Sequence, residues 1–141
     1  MCPTQATPMT ASRQLRSLLV LLLLALFATF SMHAAPPPFV QLEDARNALE
    51  KSSMVVIDIR EPSETATGVA KGAKLIPMSQ LGKRLGELPA PGKEPFLLIC
   101  NTQNRSSRVA EQLIAAGYTN VKYVQSGMSQ WSSRGWPMVK P

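Results

Sequence analysis

Pro95 to Cys100 reads Pro-Phe-Leu-Leu-Ile-Cys, and Asn-Thr-Gln-Asn-Arg-Ser follows it without a break. A run this short is too brief for a helix, and its lack of apolar–polar alternation marks a strand buried on both faces. Such a strand needs a layer of helices on each side. Met54 to Ile59, Met-Val-Val-Ile-Asp-Ile, has the same β-branched character. Arg105 to Ala116 carries Val109, Leu113 and Ala116 at helical spacing with Gly117 behind them as a C-terminal cap, so strand, polar loop and helix come in order. Strands alternating with helices over about 100 residues predict an α/β fold, a small open mostly parallel sheet with helices on both faces. In such sheets ligands bind beyond the carboxyl ends of the strands, where Cys100 falls.

The remaining elements are read in the same way. Val40, Leu42, Ala45, Ala48 and Leu49 predict a helix from Phe39 to Lys51, with Glu43 and Asp44 early, where the helix dipole favours acids. Glu61-Pro-Ser-Glu64 is a turn, Gly68 and Gly72 punctuate a loop, and Leu75-Ile76-Pro77 predicts a brief strand stopped by proline. Ser79 is expected to cap a helix running through Leu88, which Pro89-Ala-Pro-Gly92 closes. Val121 to Val124 predicts a last strand and Gly127 to Arg134 a short helix, with Trp136-Pro137 beginning the exit.

Upstream, Arg13 and Arg16 precede an uninterrupted apolar run of 13 residues, Leu18 to Phe30, which gives way to small residues at Ala34 and Ala35 and then to Pro36-Pro-Pro38. Basic, apolar, small is the order of a secretory signal. Residues 1–35 are therefore expected to be a signal peptide that exports the domain, as to a periplasm; the alternative is an inner-membrane anchor over residues 18–35, because a spanning helix needs about 20 apolar residues. Residues 36–41 read as a proline-rich linker and 42–141 as the folded domain, the first helix overlapping the linker. Removing residues 1–35 takes Arg13, Arg16, His33 and Cys2, which leaves 106 residues with thirteen basic and nine acidic groups, a net +4, one cysteine and no histidine.

The surplus of positive charge is thin and spread, with no run of five or six like charges, so no nucleic-acid partner is expected. A membrane enters only if the leader stays attached. Collagen periods, coiled-coil heptads and internal repeats are all missing from the sequence, and two cysteines with one histidine fall short of a structural zinc site. No cofactor is implied.

Cys100 carries the chemistry. The loop Cys100-Asn101-Thr102-Gln103-Asn104-Arg105-Ser106 joins a buried strand to a helix, so its successive N–H groups can curl around whatever sits on the sulfur. The helix N-terminus and Arg105 add positive charge, and together these are expected to lower the thiol pKa. With residues 1–35 removed no histidine is left to build a papain-like Cys-His pair, and without C-x-x-C a thioredoxin-like dithiol is excluded. The plain alternative is a buried, inert thiol at a strand end.

These residues resemble the single-domain rhodanese family of sulfurtransferases, in an exported form. Asp58-Ile-Arg60 with Glu64, Gly68, Gly72-Ala73 and Ile76-Pro77 is similar to the family's first signature. Cys100 to Ser106 resembles its active-site loop, Gly117-Tyr118 and Val121 match the stretch after the loop's helix, and Gly127 to Trp131 with Gly135-Trp-Pro137 resembles the closing motif. The resemblance implies that Cys100 takes a sulfane sulfur from a small anionic donor such as thiosulfate, holds it as a persulfide and passes it to a thiol or cyanide. Asn101, Thr102, Gln103, Asn104, Arg105 and Ser106 would line the substrate, Arg105 binding the anionic donor; Ser106 either caps the helix or hydrogen-bonds the persulfide, with the cap preferred. Asp58, Arg60 and Glu64 read as a structural ion-pair and turn network, and Trp131 and Trp136 as packing residues.

Departures from the family pattern are local. Gln103 stands where many such loops carry glycine, a costly choice if the position needs positive φ unless Asn101 or Asn104 takes the left-handed angle instead. Val69 follows Gly68 where histidine is common, and Ser126-Gly127 replaces a pair of glycines. Two rival readings exist. A cysteine phosphatase uses five residues between cysteine and arginine, whereas Asn101 to Asn104 are four, and it wants a general acid that this loop lacks. A sulfur carrier would keep the same residues without thiosulfate turnover, whereas inert protein-binding versions of such a domain typically lack the cysteine, so the presence of Cys100 favours activity.

Overall fold

A computed structural model describes residues 35–141. The leader and its cleavage or anchoring lie outside these residues, Ala35 excepted; among the described residues no helix is long and apolar enough to cross a membrane. The elements in chain order are β1 (Phe39–Val40), α1 (Leu42–Glu50), β2 (Val55–Asp58), α2 (Pro62–Thr65), β3 (Lys74–Leu75), α3 (Met78–Leu81), a 3₁₀ turn (Leu85–Glu87), β4 (Phe96–Ile99), α4 (Asn104–Ala115), β5 (Val121–Val124) and α5 (Gly127–Ser133). All strands are parallel, in the order β1-β5-β4-β2-β3.

The apolar runs set this arrangement. β4 is buried along its whole length and lies at the centre, paired with β2 through Val56 and Leu97 and with β5 through Leu98 and Tyr123. Side chains alternate across a strand. Phe96 and Leu98 therefore pack on one face with Ile57, Leu81, Val109 and Leu113, beneath α3 and α4. Leu97 and Ile99 pack on the other with Leu42, Ala45, Ala48, Met128 and Trp131, beneath α1 and α5. Each such side chain, fully buried, contributes about 1.5–3 kcal/mol.

Several elements differ from the sequence reading. Phe39 and Val40, expected in the linker and at the start of the first helix, form β1 by pairing with Tyr123 and Val124, and the helix begins only at Leu42. The helix expected from Ser79 to Leu88 is a single turn, Met78–Leu81, and a separate 3₁₀ turn, since Gly82 just after the first and Gly86 within the second both disfavour a continuous helix. Pro77, not Ser79, is its N-cap; the Ser79 N–H and hydroxyl both donate to the Glu61 carboxylate, at 3.0 and 2.8 Å. The turn at residues 61–64 is one turn of helix, with Pro62 at its first position and the Glu61 N–H donating to Glu64 Oε2 at 3.0 Å. Ala116 is exposed rather than packed, and it ends α4 ahead of Gly117, whose φ is +98°.

The strand order opens a crevice. β2 leads outward to β3 and β4 leads the opposite way to β5, so the chain departs in two directions beyond the carboxyl ends of these neighbours. That switch point is where ligands settle in open α/β sheets. The loop after β2 begins with a buried ion pair: Arg60 Nε and Nη2 donate to the Asp58 carboxylate at 2.7–3.0 Å, and Nη2 also donates to the Gly68 carbonyl at 2.9 Å. The loop after β4 begins with Cys100.

Candidate active site

Cys100 is the first residue past β4, and the strand alternation that turns Phe96 and Leu98 toward α4 turns Cys100 the same way. Its side chain meets the first turn of α4. The N–H of Gln103 lies 3.2 Å from Sγ and that of Ser106 3.4 Å, while Ser106 Oγ stands 3.4 Å from Sγ and donates to the Gln103 carbonyl at 3.1 Å. Burial pushes the Cys100 thiol up, but its hydrogen bond with the Ser106 side chain and those from the N–H groups of Ser106, Gln103 and Thr102 outweigh it, so the thiol ionises below its ordinary value. Cys100 is fully buried, and N–H groups of its own loop surround the sulfur.

The loop's shape rests on residues that L side chains rarely permit. Gln103 itself takes the left-handed angle, at φ 99°, rather than Asn101 or Asn104. Its side chain supplies a compensation that glycine lacks, because Oε1 accepts the Ser126 N–H at 2.8 Å and ties the loop to the start of α5. Ser126 and Gly127 also have positive φ, 70° and 62°. From that bend the Met128 and Ser129 N–H groups donate to the carbonyls of Cys100 and Asn101, at 2.8 and 2.9 Å. With those carbonyls held by α5, amides of the same loop are left to face the sulfur.

Gln103→Ala is expected to destabilise the domain by about 1 kcal/mol, because it keeps the strained angle and leaves the Ser126 N–H without its acceptor. Gln103→Gly loses the same bond but relieves about 1 kcal/mol of backbone strain, so it should come out near neutral. Urea unfolding of both variants checks this; equal losses would show that the Gln103 angle carries no strain.

The seven residues read from the sequence divide by position. Cys100, Gln103 and Ser106 converge on the sulfur, Thr102 contributes an N–H, and Asn101 is anchored through its carbonyl. Ser106 is not the N-cap of α4, which is Gln103; its Oγ instead lies within hydrogen-bond distance of the Cys100 sulfur. Asn104 is exposed at the first position of α4. Arg105 turns across the crevice, where Nη1 and Nη2 donate to Glu64 at 2.7 and 2.5 Å. The Arg105 hydrogen bonds bring the Glu64 carboxyl down to about 2 against the pull of its partial burial. The hydrogen bonds that lower the Cys100 pKa come from Ser106 and the loop amides, and the Cys100 thiolate in turn helps hold the Arg105 guanidinium in its charged form.

The sequence reading missed the part played by Ser126, Gly127 and the first amides of α5; the Ser-Gly pair ahead of a short helix was the available signal. Trp131 and Trp136 pack as expected, edge to face with ring centroids 5.0 Å apart, and Trp131 Nε1 donates to the Pro137 carbonyl at 3.1 Å. Among the described residues no group of three His, Cys, Asp or Glu side chains gathers as a metal site would require.

Comparison with known proteins agrees with this fold. The model of the rhodanese-like domain matches residues 41–134. The uncharacterized protein slr1261 of Synechocystis sp. is 29% identical over 91 residues, 64% of this chain and 50% of that protein, so the chain spans half its length. A sulfurtransferase of Allochromatium vinosum is 28% identical over 92 residues, covering 65% of this chain and 84% of that one. The crystal structure of a rhodanese-related protein from Thermoplasma volcanium superposes with a TM-score of 0.64 at 27% identity, over 74% of this chain and 99% of that chain. With its all-parallel sheet, its cysteine loop at the switch point and a family match over most of the described residues, the chain belongs to the rhodanese-like domain family.

Proposed function

We propose that this protein is a sulfurtransferase that moves sulfane sulfur through a persulfide on Cys100, from thiosulfate or a related donor to a thiol or cyanide. The observation that carries the reading is the enclosure of Cys100 Sγ by the Gln103 and Ser106 N–H groups, with its pKa lowered by the same bonds. Those donors stabilise the thiolate before transfer and the anionic outer sulfur after it. The thiolate attacks the donor's sulfane sulfur; a bond forms from Sγ to that sulfur, the old bond breaks, and its electron pair leaves on sulfite when the donor is thiosulfate. An acceptor thiolate or cyanide then attacks the outer sulfur, and the pair returns to Sγ. No redox partner or general acid is required. The leader over residues 1–35 supports action outside the cytoplasm, in a periplasm or on the outer face of the inner membrane.

Intact mass of the purified protein tests the reading, with thiosulfate and a small organic persulfide as donors and cyanide as the discharging acceptor. The expected result is a gain of one sulfur atom, removed by cyanide as thiocyanate and absent from Cys100→Ser. If neither donor adds sulfur to Cys100, the domain is a binding module and the proposal fails.

A further inference from the structure

Thiosulfate brings two negative charges to a site whose nucleophile is itself an anion, so a site built for it needs a cation free to meet it. Two arginines belong to the crevice loops. Arg60 is buried and its guanidinium is taken up by the Asp58 carboxylate and the Gly68 carbonyl. Arg105 turns both terminal nitrogens to Glu64. Glu64 is not a loose surface acid: its Oε2 also accepts the Glu61 N–H, Pro62 starts its helical turn, and Glu61 is fixed in turn by Ser79. The carboxyl's pKa of about 2 keeps the pair ionised at neutral pH.

At the sulfur stand loop amides and one hydroxyl, enough for one anionic sulfur; Arg105 is paired with Glu64, and Arg108, which has no ion pair among the described residues, lies three residues farther along α4. Beside Arg105 a groove of about 460 Å³ runs between α3 and α4, lined by Met78, Leu85, Arg105, Arg108, Val109 and Gln112. Its mixed apolar and polar lining gives room to the organic body of a carrier, which an inorganic anion does not use.

Resting on the persulfide reading above, we infer that the bidentate Glu64–Arg105 pair spanning the crevice makes Glu64 a specificity-determining residue, selecting sulfur carried on an organic thiol (R–S–SH) over free thiosulfate dianion. The transfer balances without a further reagent. Cys100 Sγ attacks the terminal sulfur, the R–S–S bond breaks with its electron pair leaving on the carrier as thiolate, and the proton of the transferred sulfur is released to solvent.

The test is single-turnover loading of Cys100, followed by intact mass, with thiosulfate and with N-acetylcysteamine persulfide, whose carrier is uncharged. Intrinsic donor reactivity cancels in the comparison of variants, so the reading is the ratio of the thiosulfate rate to the persulfide rate. Glu64→Gln frees Arg105 and should raise that ratio by about fivefold or more, while Glu64→Asp, which keeps the charge, should restore it toward the wild-type value. A purely structural role for Glu64 would slow both donors together, and an unchanged or lowered ratio overturns the inference. Glu64→Gln combined with Arg105→Gln provides an independent arm: removing both charges of the pair leaves the net charge of the wild type, so the ratio should hold within about twofold, whereas a selective loss of thiosulfate loading would make Arg105 the donor-binding cation and refute the assignment. If no protein accepts sulfur from either donor, the sulfurtransferase reading itself has failed, a result distinct from loading with an unshifted ratio.

Discussion

Gly127→Ala is expected to abolish sulfur loading of Cys100 although it leaves the cysteine and every donor side chain in place, and to lower stability by about 3 kcal/mol. At φ +62° an alanine already costs about 1–2 kcal/mol. Its Cβ would overlap the Cys100 carbonyl oxygen and stand 2.5 Å from that of Asn101, and both are backbone atoms that cannot swing aside. Relief requires α5 to retreat, which breaks the bonds from the Met128 and Ser129 N–H groups to those same carbonyls. Once released, the carbonyls can rotate and take the inward-facing amides with them, which ends the enclosure of the sulfur. Gly82→Ala is the matched control, since Gly82 has helical backbone angles and open space where a Cβ would lie; it should be neutral or stabilising by up to about 1 kcal/mol. Urea unfolding and intact mass after persulfide treatment read both effects. A Gly127→Ala protein with wild-type stability and loading would show that the approach of α5 does not shape the loop.

Asp58→Ala carries the other large effect, a loss of about 3–5 kcal/mol. Asp58 has no exposed surface and Arg60 is 4% exposed, so removing the carboxylate strands a guanidinium in the core with only the Gly68 carbonyl and no counter-charge. The Arg60 N–H also loses its acceptor, Asp58 Oδ1 at 3.0 Å. Against a total stability of about 5–15 kcal/mol for a domain of this kind, much of the population would be unfolded at growth temperature. The cause is separable from lost packing: Asp58→Ala combined with Arg60→Met should be more stable than Asp58→Ala alone, because the second change removes the stranded charge. If the double variant proves less stable than the single one, the ion pair is not what holds this turn.

How far the sequence reaches depends on how far apart the interacting residues are. Strand, loop and helix around Cys100 were legible because each is a local pattern: an apolar run without alternation, a polar break, then residues three and four apart with a closing glycine. β5 was read to the residue, since Val121-Lys-Tyr-Val124 is short, β-rich and bounded by turn residues. β1 was not, because Phe39 and Val40 fit a helical stripe equally well and became a strand only by pairing with Tyr123 and Val124, more than eighty residues downstream. The same holds at the site. The positive φ of Gln103 was foreseen as a difficulty, but its remedy is a hydrogen bond to Ser126, 23 positions away. For Arg105 the resemblance implied donor binding, but its ion-pair partner could not be read from the sequence: Glu64 is 41 residues upstream, and the side-by-side placement of β2 and β4 joins them.

The outer strands of the sheet have a consequence for assembly. β1 and β3 are each two residues long, and the prolines at 36–38 ahead of β1 have no N–H to offer. A neighbouring chain seeking to extend the sheet would find at either margin too few free backbone groups to template even one regular strand. Edge-to-edge extension of the sheet is therefore disfavoured in the described domain, which leaves helix faces and loops as its broader surfaces for contact.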